Sequence, residues 1–268
     1  MLEMIGILFN TMRRKVFLPL IFSFYAIFSY VPGSLALNNS EHILYGYPSE
    51  QGTVLYRKGY VLDYDNITKN ASWVSYHLTV KYLVQKVERS NNFRPDPDLK
   101  VGERAELVDY NKCGYDRGHL VPAEDMRRDK QTESESFYLS NMTPQIGPGF
   151  NRGIWKNLEA KVRRWVKIRR NIYVIAGPIY GKKPNITIGP NHVAVPTSFY
   201  KIVVSCDSKG NNLDAIAFIF PNQTVESLSL DAFITTIDEV EKKTSLDFLC
   251  DLDQSLEASL ESKKSKMW

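Results

Sequence analysis

The stretch YDRGHLVPAEDM, residues 115–126, and the stretch NRGIWKNLEAKVRRWVKIRR, residues 151–170, decide the fold of this 268-residue chain. In the first, residues 118–121 predict a short strand that Pro122 ends, because proline has no amide hydrogen to donate to a neighbouring strand. In the second, apolar residues recur at helical spacing, which predicts a helix over 151–170 with one apolar face. These residues are Ile154, Leu158, Val162, Trp165 and Val166.

The remaining pattern predicts a mixed α and β organisation. Alternating apolar positions over residues 54–64 and 73–80 flank the turn-like stretch 65–70 and predict a β-hairpin. The polar, proline-containing stretch 90–100 predicts a loop. Further apolar runs predict core strands over residues 172–176, 200–205 and 215–220, followed by a helix over 227–243.

Three side chains in the two deciding stretches suggest hydrolysis of a phosphodiester. His119 offers an imidazole, which can accept a proton from water near neutral pH because its unperturbed pKa is about 6.5. Asn151 offers an oxygen to Mg²⁺, an ion that binds oxygen ligands and keeps several waters. Glu159 would lie about 80° further around the helix, where its carboxylate could order the metal's water shell.

Each of these residues has a structural alternative. A histidine is often only a packing residue, and we expect this of His42, His77 and His192, which have no obvious metal-ligand partners in the sequence. Asn151 could be a helix N-cap, since asparagine is strongly preferred there. Glu159 could be a solvent-facing helix residue that pairs with a nearby cation.

Several blocks of the sequence resemble the DNA/RNA non-specific endonuclease family, which includes secreted bacterial nucleases and the mitochondrial endonuclease G type. The blocks are residues 115–126, SNMTPQ at 140–145 and residues 151–159, with further matches at YGYP 45–48, IAGPIY 175–180 and VAVPTSFYK 193–201. The resemblance implies an α+β fold with a mixed, largely antiparallel central sheet, flanking helices and a ββα-metal (His-Me finger) active site.

The resemblance also implies roles by motif position. His119 would activate the water, and Asn151 would be the direct protein ligand of Mg²⁺, with Mn²⁺ as a substitute ion. Glu159 would support the metal's water cluster, and Arg117 would bind or neutralise phosphate. In this family the metal stabilises the leaving 3′ oxygen, so the products should carry 5′ phosphates.

Two further residues have supporting roles by the same resemblance. Asn141 occupies a position associated with active-site organisation, and Asp116 would orient its neighbours rather than bind the metal. The expected function is an exported, Mg²⁺-dependent endonuclease that cleaves DNA and RNA with little sequence preference. The alternative is a catalytically silent nucleic-acid-binding surface protein on the same fold.

The N-terminus predicts export. Arg13, Arg14 and Lys15 precede a nearly continuous apolar run over residues 16–31, and small residues stand at the expected cleavage positions before residue 37. The run is short for a membrane-spanning helix, which needs about 20 apolar residues. We therefore expect a signal peptide over residues 1–36 with cleavage near Ala36, and an uncleaved anchor is the alternative.

The mature chain is expected to be secreted or periplasmic, with no stable membrane association. Residues 37–268 are long enough to form a single domain, and the tail after about residue 250 has a weaker pattern. An oxidising compartment would allow cysteines to pair. Cys206 follows a predicted strand and Cys250 lies near the chain end, so a bridge between them could pin the C-terminal segment, with Cys113 as the odd thiol.

The positive charge is concentrated on the predicted helix. The whole chain has a formal net charge of +4, and residues 151–170 contain eight Lys or Arg residues and one Glu. Such a field attracts a polyanion and is screened by salt, although a solvated helix face is the alternative. Because no base-reading motif occurs, recognition of the nucleic-acid backbone is expected.

Overall fold

The computed structural model describes residues 40–181, 186–207, 209, 211–225 and 229–268. The signal peptide predicted over residues 1–36 therefore lies outside the described residues. Residues 39–268 form one compact unit. Within the described ranges, no helix is both long and apolar enough to cross a membrane.

A seven-stranded sheet forms the centre of this unit. The strands in chain order are β1 (Thr53–Tyr56), β2 (Val61–Asp65), β3 (Asn70–Thr79), β4 (Asp116–His119), β5 (Met142–Gln145), β6 (Asn171–Ile179), β7 (Thr187–Ile188), β8 (Val193–Ala194), β9 (Ser198–Ser205), β10 (Asp214–Pro221) and β11 (Ile234–Thr235). The central sheet has the order β1-β2-β3-β6-β9-β10-β11, and every neighbouring pair is antiparallel. With the helices described below, it confirms the predicted α+β class.

Helices cover the sheet on both faces. The α-helices are α1 (Lys130–Glu135), α2 (Lys156–Arg169), α3 (Ile237–Thr244) and α4 (Gln254–Glu261). Successive residues of a strand point to opposite faces, so Val203 of β9 packs in the apolar cluster that includes α2, whereas Val204 packs in the cluster that includes α3 and α4. Burial on both faces explains why β6 is apolar at every position from Ile172 to Ala176 and β9 at every position from Ile202 to Val204.

The structure corrects three predicted elements. Residues 54–64 are two strands rather than one, because the chain turns at residues 57–60 and the amide of Arg57 donates to the carbonyl of Tyr60 at 2.8 Å. The helix predicted over 227–243 begins only at Ile237, where the Thr236 hydroxyl accepts from the amide of Glu239 at 3.1 Å. The tail after residue 250 contains helix α4.

A further correction concerns the basic helix, which begins at Lys156 rather than at residue 151. The preceding segment, Gly147–Trp155, is a wide helical turn with non-helical backbone at Pro148, Gly149 and Gly153. Gly149 has a φ of +75°, and a Cβ there would lie 2.6 Å from Thr224 Cγ2, so packing against residue 224 and glycine's freedom together set this bend.

The predicted disulfide is wrong, because Cys113, Cys206 and Cys250 are all free. The sulfur of Cys206 accepts from the Asn171 side chain at 2.9 Å, at the edge of β6. The Cys250 sulfur instead donates to the carbonyl of Tyr47 at 3.6 Å. The two thiols are therefore engaged with different parts of the fold, and spacing along the sequence did not reveal this.

Candidate active site

A separate two-stranded sheet, β4 with β5, holds the DRGH motif. The strands are antiparallel and Gly118 is paired with Thr143, while His119 is paired with Met142. A Cβ at Gly118 would collide with the buried side chain of Gln145, so the close approach of the two strands requires glycine here. The hairpin is followed in the chain by the wide turn and α2, which gives the ββα arrangement.

This hairpin and α2 border a cleft of about 770 Å³. Five of the six predicted site residues line it: Asp116, Arg117, His119, Asn151 and Glu159. The other lining residues are Arg89, Phe93, Tyr110, Tyr115, Pro122, Ala123, Glu124, Arg152, Lys156 and Arg163. Residues from two distant stretches of the sequence thus meet at one place.

The imidazole of His119 lies against aromatic rings. Its centroid is 5.7 Å from that of Phe93 and 5.2 Å from that of Phe137, both in edge contacts. Burial lowers the pKa of His119 to about 3, and the charge of Arg89 acts in the same direction. Its Nε2 is buried and makes no hydrogen bond to any described residue. The ring is therefore neutral at neutral pH and has a nitrogen lone pair to accept a proton. The negative charge of a phosphate in the cleft would raise its pKa towards the range in which an imidazole is an effective general base.

Asn151 is oriented by Asp116. Its side-chain Nδ2 donates to Asp116 Oδ2 at 2.8 Å, and the same carboxylate oxygen lies 3.1 Å from Arg152 Nε. Because only the Nδ2 group can donate to a carboxylate, this hydrogen bond distinguishes the nitrogen from the oxygen of the Asn151 side-chain amide. The N-cap alternative fails, since the N-cap of α2 is Trp155 and no side chain caps that helix.

Arg117 lies over the ring of Phe93, with its guanidinium carbon 4.2 Å from the centroid. The side chain is exposed and has no acidic partner within the described parts of the chain. An unpaired guanidinium at a cleft is suited to phosphate, because its planar donors match phosphate oxygens.

Asn141 does not line the cleft, so the role in active-site organisation that the resemblance implies would be indirect. The side chain is fully buried, and its Nδ2 donates to the carbonyls of Val121 and Ser136 at 3.0 and 2.9 Å. Its Oδ1 accepts from the amide of Val121 at 2.9 Å. These bonds hold the chain two residues after His119, so Asn141 is a positioning residue.

Glu159 is surrounded by charges that the sequence did not single out. Burial raises the pKa of Glu159 to about 7, while the cations Lys201 and Arg163 favour its charged form. Lys201 is fully buried with its Nζ 4.2 Å from the Trp155 ring centroid, and Arg163 forms a 2.8 Å ion pair with the buried Asp125.

Two signals could have identified these neighbours. Arg163 follows Glu159 by four residues, which places both on one face of a helix. Lys201 ends the block 193–201 that resembles the endonuclease family. The position of Asp125 could not be inferred in the same way, because it comes from the short 3₁₀-helix Ala123–Asp125 on another part of the chain.

Comparisons with known proteins show the family of this chain. Residues 38–255 match the family described as DNA/RNA non-specific endonuclease. Nuclease C1 of Cunninghamella echinulata var. echinulata is 38% identical over 231 residues, which cover 81% of this chain and 91% of the relative. Mitochondrial endonuclease G of Caenorhabditis elegans is 36% identical over 228 residues, covering 80% of this chain and 73% of the relative.

A solved structure shows the same fold. A chain in the crystal structure of the EndoG/EndoGI complex superposes with a TM-score of 0.74 and 34% identity, covering 80% of this chain and 91% of that chain. The chain belongs to the DNA/RNA non-specific endonuclease family, and it is an enzyme of that kind. The predicted family and enzyme class are confirmed.

The predicted secreted or periplasmic location is contradicted by these comparisons. The Caenorhabditis relative is a mitochondrial protein by name, and so are matching nucleases of yeasts and mammals. The prediction rested on apolar residues 16–31, which lie outside the described residues. An apolar run behind a basic cluster was therefore insufficient to assign the compartment.

Proposed function

We propose that this endonuclease is Mg²⁺-dependent, cleaves the phosphodiester bonds of both DNA and RNA, and leaves 5′ phosphates. The observation that carries the proposal is the meeting of His119, Asn151 and Glu159 at one cleft.

The cleft offers oxygen donors that suit a hard cation. Because Asn151 Nδ2 is engaged by Asp116, the amide oxygen of Asn151 is left to act as a ligand. Glu159, two turns away along the wide turn and α2, would hold waters of the metal shell. Oxygen ligands with retained waters are the preference of Mg²⁺. A bound Mg²⁺ would supply neutralising charge at the phosphate and the leaving oxygen.

His119 would act as the general base. Its ring nitrogen takes a proton from water as the water oxygen bonds to phosphorus. The bond from phosphorus to the 3′ oxygen then breaks, and that oxygen takes a proton from solvent. The products are a 3′ hydroxyl and a 5′ phosphate. Arg117 would hold a non-bridging phosphate oxygen through its unpaired guanidinium.

The substrate range follows from the groups around the cleft. Arg152 and Lys156 are exposed cations on its rim. Cations of this kind recognise the phosphate backbone, which DNA and RNA share, and carry no sequence information. We therefore expect activity on both polymers with little sequence preference.

The proposal is tested by the ends that the enzyme makes. Supercoiled plasmid is nicked by the protein in Mg²⁺, and the nicked product is given to DNA ligase, which seals only 5′ phosphate beside 3′ hydroxyl. We expect complete resealing, no nicking in excess EDTA and restored nicking when Mg²⁺ is added back. Nicking that persists in EDTA would contradict the metal dependence, and nicks that ligase leaves open would contradict the 5′ phosphate.

A parallel digestion tests the second substrate. A structureless single-stranded RNA is incubated with the same protein in Mg²⁺ and in EDTA. We expect fragments of all lengths in Mg²⁺ alone. Intact RNA under conditions that fully nick the plasmid would restrict the proposal to DNA.

A further inference from the structure

Three carboxylates meet between α3 and α4, away from the nuclease cleft. Asp238 and Glu241 lie three residues apart on α3, so they occupy one face of that helix, and Glu261 is the last residue of α4. One oxygen of each carboxylate lies within 4.8 Å of an oxygen of the other two. None of the three residues lines the cleft that contains His119.

No basic side chain in the described part of the chain neutralises this cluster. Lys242 and Lys243, the nearest lysines along α3, pair with Glu239 at 4.0 and 3.2 Å. Beyond α4, Lys263 pairs with Asp214 at 3.0 Å. Like charges held this close destabilise one another unless a proton or a cation is bound between them.

Glu261 is the member that most requires a bound partner. The residue is only 7% exposed, and its Oε1 is buried and accepts no hydrogen bond from an amide or hydroxyl of the described residues. The carboxyl of Glu241 lies within hydrogen-bonding reach of Glu261, so the two acids need a proton or a cation between them. A buried carboxylate oxygen without a partner is costly, because it loses its hydration and gains nothing in return. Burial, followed by the charge of Glu241, raises the pKa of Glu261 to about 8.

We propose that Asp238, Glu241 and Glu261 bind a hard divalent cation of the Ca²⁺ type. All the donors are carboxylate oxygens, which Ca²⁺ prefers, and its flexible coordination accepts ligands from two helices. Asp238 is exposed and Glu241 is half-buried, so water has access to complete the coordination shell. We expect a dissociation constant on the order of 10⁻⁴ M, as in weak calcium modules.

A cation at this site would link helix α4, close to the C-terminus, to helix α3, which packs on the central sheet. Glu261 lies beyond residues 38–255, which match the endonuclease family, so the family match does not include this ligand. After α4 the chain continues to Trp268, whose backbone carbonyl accepts from Trp165 Nε1 at 3.0 Å on α2. A cation between α3 and α4 would therefore stabilise the C-terminal segment.

Calcium binding to the full chain is the direct test. The protein carries Asn151→Ala, so that the proposed cleft ligand does not contribute, and it is titrated with CaCl₂ by calorimetry. Asp238→Asn is added in one sample, and Asp231→Asn, which removes an exposed carboxylate outside the cluster, is added in a matched control. We expect one Ca²⁺ per chain in the parent and in the control, and at least tenfold weaker binding with Asp238→Asn.

Thermal unfolding provides a second readout. At a Ca²⁺ concentration of about 100 times the dissociation constant, mass action multiplies the folded-to-unfolded ratio by about 100. We expect the melting temperature to rise in the parent and in the control. With Asp238→Asn the rise should be at most about half as large, because tenfold weaker binding multiplies the folded-to-unfolded ratio by only about 10 at the same Ca²⁺ concentration. Because Asp238 is exposed, this variant should fold, and it should nick plasmid at the wild-type rate when Asn151 is intact.

The competing account is a proton shared by the carboxyls of Glu241 and Glu261. It predicts no Ca²⁺ binding, an unchanged melting temperature in Ca²⁺, and a higher melting temperature for Glu261→Gln above pH 8. That set of results would overturn the cation proposal. Equal Ca²⁺ affinity in the parent and in Asp238→Asn would overturn it as well.

Discussion

Removing the carboxylate of Asp116 should lower the nuclease activity, because that carboxylate orients the Asn151 side chain. Asp116 Oδ2 accepts the 2.8 Å hydrogen bond that orients the Asn151 amide. Asp116→Ala removes that bond entirely, whereas Asp116→Asn keeps an oxygen acceptor without its charge. The two variants therefore form a graded series at one position.

The expected magnitude follows from the strength of the bond. A hydrogen bond to a charged group contributes about 1.5–3 kcal/mol, and a neutral one about 0.5–1.5 kcal/mol. Since each 1.36 kcal/mol is tenfold in rate, Asp116→Ala should lower kcat/KM by about 10- to 150-fold. Asp116→Asn should lower it by roughly 5- to 15-fold. The Arg152 side chain is 66% exposed, so its ion pair with Asp116 should add little.

The assay is the initial rate of plasmid nicking measured across a series of Mg²⁺ concentrations. We expect both Asp116 variants to require more Mg²⁺ for half-maximal rate, with Ala affected more than Asn. Arg152→Gln is the matched control, because it removes the ion pair and leaves the Asn151 bond intact; its Mg²⁺ requirement should change by less than about twofold. Rates and Mg²⁺ requirements of the Asp116 variants equal to wild type would refute the orienting role.

Two predictions concern stability. Asn141→Ala leaves the buried amide and carbonyl of Val121 and the carbonyl of Ser136 without their hydrogen-bond partners. It should therefore lower the free energy of unfolding, measured by urea titration, by about 3–5 kcal/mol. A loss below about 1 kcal/mol would contradict the assignment of these three hydrogen bonds to the Asn141 side chain. Burial lowers the pKa of His42, whose Nδ1 accepts from the amide of His77 at 3.1 Å and whose Nε2 lies 3.2 Å from the Lys58 carbonyl. The stability from neutral His42 should be complete above about pH 6.5 and decrease as the pH falls from there towards its lowered pKa. His42→Gln should flatten the dependence of melting temperature on pH between 7 and 5, and an unchanged slope would contradict the assignment. The charged and titratable groups around His42 are Glu41, His77 and Arg128.

The sequence predicted the residues of the cleft better than their surroundings. His119 and Asn151 lie in separate blocks, and the order of the blocks was enough to expect them at one site. The charges around Glu159 were missed because Lys201 comes from β9 and Asp125 from a 3₁₀-helix, and local patterns do not encode such contacts. The resemblance associated Asn141 with active-site organisation, but it could not show that the side chain is buried and hydrogen-bonded to the chain after His119.

The boundaries of helices and strands were predicted wrongly mainly where tertiary packing determines the backbone conformation. The turn at 57–60 was an exception, because Arg57, Lys58 and Gly59 interrupt the apolar pattern of residues 54–64 and mark the turn in the sequence itself. The start of α2 was placed five residues early because the apolar period extends back to Ile154, while Gly149 and Gly153 adopt non-helical conformations. The disulfide prediction failed for a related reason, since the proximity of two thiols is a property of the fold.

The most direct test of the central claim compares His119→Ala with His192→Asn in one plasmid-nicking assay. His192 is exposed in a turn with a φ of +57°, a conformation that asparagine tolerates, so it is a matched histidine away from the cleft. We expect His119→Ala to lose at least 100-fold in nicking rate, as for removal of a general base, with an unchanged melting temperature and DNA affinity. His192→Asn should nick at the wild-type rate. Full activity of His119→Ala would contradict the proposed mechanism.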